Sequence, residues 1–470
     1  MTNWSIKELE EINLGDQRLN KRAANILESA SNSSEASIPQ ISKTWGETLA
    51  AYRFLNNTKV SSDKILDGHF KNTIERISKE KVILIPQDTS EIKYAGRKIE
   101  DMGYLGSENS KGFLMHTSIA ITEDKLCLGV VDKQVINREE IGIRKSSKSR
   151  AIEDKESYRW LKGYDVANKI ALLAPNTSIV SIADREGDIY EMLEKIPSAE
   201  NKAFWIIRSS INRRAKNKDK AKDKIWCKVK KSEIIGQIKF KLPEGKIYQR
   251  KFSDERLPRQ KRLVTQDIRA CKVVLNPPPR QNKKCSPVTI NIVHCVESNP
   301  PSETEKIEWY LLTSMPITDS NLVFKTIRYY LCRWQIEIFF KILKSGCKVE
   351  KLQFTTLKAI CNCIALYMII AWRILYITMI SRIYPKIDGD LVFEEHEWQA
   401  IYVFVKKANP PCKAPPLRDI ILLIAALGGF LNRRSDKEPG IKVIWQGLQR
   451  AMDLAMMYNT VNNLRKQNCV

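Results

Sequence analysis

The chain has 470 residues, enough for two or three domains with at least one large buried core, which excludes a single small module. Its 78 lysines and arginines outnumber 54 aspartates and glutamates, for a formal net charge of +24. Such an excess calls for a polyanionic partner. Nucleic acid comes first, because each phosphate neutralised by a basic side chain releases condensed counterions, and an anionic membrane surface comes second.

Residues 1–11 carry acidic side chains and no continuous apolar run, so this stretch does not read as a secretory signal and export is not expected. From about residue 6 to 74 Leu9, Ile12 and Leu14, then Leu19, Ala23 and Ile26, recur at helical spacing. They predict a small helical domain whose Arg18, Lys21, Arg22 and Arg53 suit DNA, or equally an ordinary solvated helix face.

After Glu80 the pattern turns to β. Residues 82–85 predict a buried strand with Asp88, in VILIPQDTS, at its polar end. Residues 115–121 and 126–135 predict a hairpin about a polar turn at Glu123 and Asp124. Ser178–Ala183 predicts a short buried strand that runs directly into Asp184, with a helix starting near Asp188, and Phe204–Arg208 predicts another strand.

Between residues 212 and 301 a basic stretch (Arg213, Arg214, Lys216, Lys218, Lys220, Lys222 and Lys224) precedes strand-like pieces at 271–275 and 288–293. This reads as an inserted β subdomain with a charged entrance, and Pro277, Pro278 and Pro279 mark a loop within it. Residues 309–313 predict a buried strand and 322–343 one long helix.

Residues 359–380 are long and apolar enough to test as a membrane span, but Asn362 and Arg373 lie inside the run. A charge near the bilayer centre is costly, so a buried core helix is the expectation. Further helices follow a proline-rich loop at Pro410, Pro411, Pro415 and Pro416. Their Leu422, Leu423, Leu448, Met452, Leu454 and Met457 suit a core or a self-association surface.

Eleven cysteines without a CxxC pair and four dispersed histidines give no zinc pattern and no histidine-based triad. The cysteines read as reduced thiols of a cytoplasmic protein.

Three acids stand out. Asp88 and Asp184 each follow a buried strand, where active sites commonly gather, although a turn or cap explains either one taken alone. In SIVSIADREGDIY, Asp188 and Glu191 have the spacing of a capping box, which leaves Asp184 as the better ligand candidate. Tyr330, Arg333, Glu337, Lys341 and Lys344 recur at spacings of three, four, four and three, one stripe of a helix. A salt-bridged face with Arg333 and Glu337 as an i,i+4 pair accounts for the same pattern. Bulky Trp334, Ile338 and Phe339 beside the stripe suggest instead a helix packed into the protein. Three carboxylates with cations around one of them suit two-metal phosphoryl transfer, because Mg²⁺ prefers hard carboxylate oxygens and keeps positions open for substrate.

With these residues in place, the sequence resembles the DDE transposases of the insertion-sequence-four family, to which the transposase of transposon five belongs. The most specific element is Y-x2-R-x3-E-x6-K, met by Tyr330, Arg333, Glu337 and Lys344 in YLCRWQIEIFFKILK. DTS at Asp88, DREGD at Asp184, LGDQR at Leu14 and AYRF at Ala51 follow the family order over nearly the whole chain.

The resemblance implies an α/β fold: a ribonuclease-H-like catalytic domain (76–355) with a β insertion (about 212–301), an N-terminal helical DNA-binding domain (1–75) and a C-terminal helical dimerisation domain (356–470). It implies Asp88, Asp184 and Glu337 as catalytic, metal-binding residues for two Mg²⁺ ions, replaceable by Mn²⁺. It implies DNA contacts by Tyr330, Arg333, Lys341, Lys344, Arg208, Arg22 and Arg53, with Trp309 stacking on a flipped base; a core tryptophan is the other reading of Trp309. The implied partners are double-stranded transposon ends and target DNA, bound by a homodimer away from any membrane, in a bacterial cytoplasm. Gly187 stands where the family motif has alanine, an exchange expected to be mild. A ribonuclease-H-like nuclease that never joins DNA, and a non-cutting protein that inhibits transposition, are the competing readings.

Overall fold

A computed structural model of the protein describes residues 4–32, 37–42, 44–94, 96–106, 110–138, 150–215, 224–248, 256–259, 261–278, 285–302 and 304–467. Five helices open the chain: α1 (Trp4–Glu8), α2 (Gln17–Asn32), α3 (Ile38–Ile41), α4 (Trp45–Asn56) and α5 (Ser62–Ile77). Strands β1 (Val82–Lys93), β2 (Gly112–Ile121) and β3 (Cys127–Ile136) precede α6 (Tyr158–Leu173), β4 (Ser178–Ala183), α7 (Tyr190–Leu193) and β5 (Phe204–Arg208). Then come α8 (Ile225–Lys230), β6 (Ile234–Leu242), β7 (Gly245–Tyr248), β8 (Arg256–Arg259), β9 (Arg262–Leu275), β10 (Val288–Glu297) and β11 (Glu308–Thr313). The rest is helical: α9 (Ser320–Leu331), α10 (Trp334–Lys341), α11 (Leu357–Ile383), α12 (Glu395–Lys406), α13 (Leu417–Leu427) and α14 (Ile441–Gln467).

The fold is mixed α/β with helices at both ends, and its middle follows the element order of a ribonuclease-H-like domain: an antiparallel three-strand meander, a helix, then two parallel strands separated by a short helix. The chain divides into two compact units, Met1–Arg144 with Leu173–Thr177 and Trp334–Val470, and Lys145–Leu172 with Ser178–Arg333.

In the first unit β1 pairs antiparallel with β2, and β2 with β3, forming the predicted hairpin. Its turn closes through the Leu126 N–H on the Thr122 hydroxyl at 3.1 Å and a left-handed Lys125 at φ 72°. The apolar run 359–380 lies in α11, a core helix: 83% of its most apolar window is buried. A helix apolar on all sides needs neighbours on all sides. The two polar residues that argued against a membrane span have protein partners. Asn362 donates to the Leu55 carbonyl at 2.9 Å, and Arg373 donates to the Val392 carbonyl at 3.2 Å and lies 4.2 Å over the Trp4 ring.

The first helix is tied down by a buried polar knot. Val130 N–H donates to His69 Nε2 at 2.9 Å, so the ring proton sits on Nδ1, which reaches Glu8 Oε1 at 2.5 Å. Arg76 closes on both Glu8 oxygens, at 3.0 and 2.9 Å, while lying 4.5 Å over Trp372. Four elements, α1, α5, β3 and α11, are thereby fixed together.

In the second unit the strand order is β4-β5-β11-β10-β9-β6, with β4 and β5 parallel and the other pairs antiparallel. The strands of the predicted β insertion, β9 and β10, extend the sheet that contains β5 and β11. The reason is that β10 pairs on both edges, with β9 along ten residues and with β11 along six. Lys216, Lys218, Lys220, Lys222 and Pro279 lie outside the described residues.

The expected single helix over 322–343 is two. Cys332 N–H bonds the carbonyls of Arg328 and Tyr329, and Arg333 N–H that of Tyr330, which tightens the turn and ends α9. Neither glycine nor proline marks the break. Each half instead packs within its own unit, α9 against β5 and α10 against β1 and α11.

Candidate active-site residues and their surroundings

Asp88 is not at a strand end. β1 runs on to Lys93, paired with β2 throughout, and Asp88 stands mid-strand opposite Thr117. The polar run after Pro86 masked the continuation of the strand because its backbone hydrogen-bonding needs are met by β2, distant in the chain. Asp88 is half-buried, and its Oδ1 accepts the Thr89 N–H at 2.8 Å.

Glu337, also half-buried, sits on α10, which packs against β1, so two of the three predicted acids are carried by neighbouring elements of one unit. Lys341 is exposed on the same helix. Lys344 follows in a π-helical turn over Ile342–Gly346, where its Nζ donates to the Glu91 carbonyl at 2.8 Å and pairs with Glu350 at 3.4 Å. Glu350 also accepts the Lys93 N–H at 2.9 Å, a second carboxylate contact to the end of β1 that the sequence did not signal.

Apart from Arg22 and Arg53, the remaining predicted residues lie in the second unit. Asp184 ends β4 and caps the single 3-10 turn Arg185–Gly187, its Oδ1 accepting the Glu186 N–H at 2.8 Å. Tyr330 is buried at the end of α9, its ring 5.8 Å from that of Trp309 and tilted by 30°. Burial pushes the Tyr330 phenol above its ordinary range; the cations Arg208 and Arg333 pull it back, and the charge of Asp184 adds to the rise. Tyr330, Arg333, Arg208, Asp184 and Trp309 therefore share one electrostatic neighbourhood. Trp309 is only half-buried on β11, which leaves part of its ring exposed, unlike a core tryptophan such as Trp205.

Asp188 does not cap a helix. The helix begins later, at Tyr190 after Ile189, and Asp188 is buried against Arg213 at 2.5 Å. Its Oδ2 accepts the N–H groups of Ser210 at 2.7 Å and Ile211 at 2.9 Å. The capping-box spacing misled because a long-range cation outbid the local N–H groups for the carboxylate. By the same contact Arg213 is buried, not part of a charged entrance. Gly187 is also less permissive than its neighbourhood suggested: a Cβ there would stand 2.6 Å from the Cβ of Ala183, so an alanine requires the turn to move.

Arg22 is half-buried on α2 and Arg53 exposed on α4. Trp45 at the start of α4 is 77% exposed.

Among the described residues no three His, Cys, Asp or Glu side chains form a group that could hold a metal ion by themselves. The donor chemistry of the predicted residues fits Mg²⁺, which is bound through one or two carboxylates together with water and substrate phosphates, without a full protein cage. Asp88 and Glu337, half-buried acids on packed elements, are donors of that kind.

A family model described as transposase DNA-binding matches residues 1–60, and one described as the transposase Tn5 dimerisation domain matches residues 369–463. These two matches, one toward each end of the chain, support a Tn5-like transposase. The matched N-terminal segment contains Arg22, Arg53 and the exposed Trp45, and the matched C-terminal segment runs from within α11 into α14. That segment exposes Phe404 at 56% and Met457 at 61%, apolar side chains of the kind a dimer covers. Among solved structures the chain is similar to a piggyBac transposase, in a cryo-EM structure of its synaptic complex with hairpin DNA. The two are 9% identical over 97% of this chain and 83% of the other, with a TM-score of 0.37, a likeness that fixes no residue correspondence.

Proposed function

We propose that the protein binds the ends of a transposable element as a homodimer, hydrolyses phosphodiester bonds there, and joins the freed 3′-hydroxyl ends to target DNA. The observation that carries this reading is the pair of transposase matches, DNA-binding at residues 1–60 and dimerisation at 369–463, framing an α/β core that contains the acidic candidates.

In this reading Asp88, Asp184 and Glu337 are the acids of the reaction and would hold two Mg²⁺ ions, or Mn²⁺ in their place. The bound cations would supply Lewis-acid activation of the attacking oxygen and neutralise charge on the leaving oxygen. Arg333 presents a planar fork for bidentate phosphate contact, and Lys341 and Lys344 act as compact charges. Tyr330 and Arg208 contribute a donor and a charge beside Arg333. Trp309 offers a π surface to a base displaced from the stack, which fits a cut-and-paste route through a DNA hairpin. Arg22 and Arg53 contact the end sequence outside the reaction centre.

The test is incubation of the protein with its element's terminal duplex and Mg²⁺, with nicks, hairpins and joined products mapped on a gel. Glu337→Ala is expected to abolish cleavage while end binding persists, and so are Asp88→Ala and Asp184→Ala. Cleavage without any joined product from a precleaved end would convert the reading to a nuclease. End binding without cleavage at any Mg²⁺ or Mn²⁺ concentration would convert it to an inhibitor.

A further inference from the structure

Backbone pairing fixes where Asp88 sits on β1, but it leaves the orientation of the carboxylate to the neighbouring residues. Those neighbours are polar: Gln87 is fully buried, and Thr89 half-buried. Side chains alternate across a strand, so both lie on the face opposite Asp88. Directly across from Thr89 on β2 is His116, also fully buried. Its Nδ1 is 2.9 Å from Thr89 Oγ1 and its Nε2 is 3.0 Å from Gln87 Oε1.

The chemistry of these groups sets the direction of each bond. An amide oxygen only accepts, so His116 Nε2 carries the proton, and Nδ1 of the neutral ring accepts from the Thr89 hydroxyl. One imidazole thus spans the residues on either side of Asp88, while the Thr89 N–H reaches round to Asp88 Oδ1 at 2.8 Å. Burying Gln87 and His116 in the middle of a sheet costs several kcal/mol when they are unpaired, on the order of 2–7 per group. The three-residue brace offsets part of that cost by pairing these groups with one another.

We infer that His116 is a positioning residue for Asp88, holding β1 rigid on both sides of it so that the carboxylate keeps one orientation toward a divalent cation. The inference rests on the proposed role of Asp88. Groups that orient a ligand in this way matter by about 10–100-fold in metal affinity or activity when removed.

The experiment uses the full chain with its terminal duplex and compares His116→Leu, His116→Gln and Thr89→Val with the parent and with Asp88→Ala. Cleavage is titrated with Mg²⁺, Mn²⁺ binding to the DNA-bound protein is measured directly, and end binding and Tm are recorded. His116→Leu is expected to raise the Mg²⁺ needed for half-maximal cleavage by about tenfold and to weaken Mn²⁺ binding by a similar factor, with end binding unchanged. His116→Gln, whose amide can donate to one neighbour and accept from the other, is expected to recover most of the loss. Thr89→Val keeps the side-chain shape, removes one link of the brace, and carries the test if His116→Leu does not fold. Parent-like metal dependence in both His116→Leu and Thr89→Val, whatever their Tm, overturns the inference and leaves the transposase reading intact. Undiminished cleavage by Asp88→Ala overturns the role of Asp88 and the inference with it.

Discussion

Replacing Asp188 with alanine leaves Arg213 without its carboxylate in a site where the guanidinium side chain is only 8% exposed. Removing one partner of a buried ion pair costs about 3–5 kcal/mol, because the remaining charge is neither solvated nor paired. Ser210 and Ile211 also lose their acceptor, but both residues are exposed and water can replace it, so the stranded arginine dominates. With every 1.4 kcal/mol worth about a factor of ten, local opening should rise by roughly two to three and a half orders of magnitude. The protein has two units, so a single unfolding midpoint is a poor gauge. Hydrogen exchange at the Ser210 and Ile211 amides reads the effect where it occurs. The double change Asp188→Ala with Arg213→Leu should restore much of the protection, since it removes the uncompensated charge along with its partner. Less than a tenfold change in Asp188→Ala, or a double variant as damaged as the single, would refute the argument that this pair holds the loop after β5.

Acid should loosen the first helix through Glu8 and His69. Burial alone would raise the Glu8 carboxyl, but His69 and Arg76 bring it below its ordinary 4.5, and burial holds the His69 imidazole below 6.5 against the pull of Glu8. Both folded values are depressed, so the stabilisation is full above the unfolded values and is lost as pH falls, first below about 6.5 for His69 and then below 4.5 for Glu8. The Tm should therefore drop from pH 7 to 5, and less steeply in His69→Gln; equal slopes would exclude His69 as the source. Gly187→Ala should destabilise by about 1–3 kcal/mol, because the new methyl group meets Ala183, and unchanged hydrogen exchange at the amides of the turn would show that it relaxes freely. Lys344→Ala should reduce the salt dependence of DNA binding by about one phosphate contact if that lysine leaves Glu350 for DNA, while an unaltered slope would place it off the DNA. Trp309→Ala should lower hairpin formation more than nicking, with Trp309→Phe close to the parent, as gel analysis of the two products would report.

Much of the architecture was legible because it rests on local patterning. The helical spacing of Leu19, Ala23 and Ile26, the apolar run 178–183 ending in Asp184, and the uninterrupted apolar stretch in α11 each identified an element from residues close together in the chain. The Y-x2-R-x3-E-x6-K spacing singled out Tyr330, Arg333, Glu337 and Lys344 before any coordinates, since a motif of four chemically distinct residues at set distances seldom arises by chance. The errors share an origin as well. Asp188 was read as a cap and Asp88 as the polar end of its strand because the partners that decide them, Arg213 and Thr117 on β2, lie 25 or more residues away.

The sequence by itself determined the kinds of element, their order, the basic character of the chain and which acids are candidates for phosphoryl chemistry, all properties written in periodicity and side-chain type. Tertiary structure alone decided that the helix carrying the signature breaks at Cys332 and Arg333, that Asp88 sits inside a strand braced by His116, and that Asp184 and Asp188, four residues apart, have different partners. The physical reason is that a short polar segment has several satisfactory hydrogen-bonding arrangements of similar free energy. Packing against residues remote in the chain selects one of them.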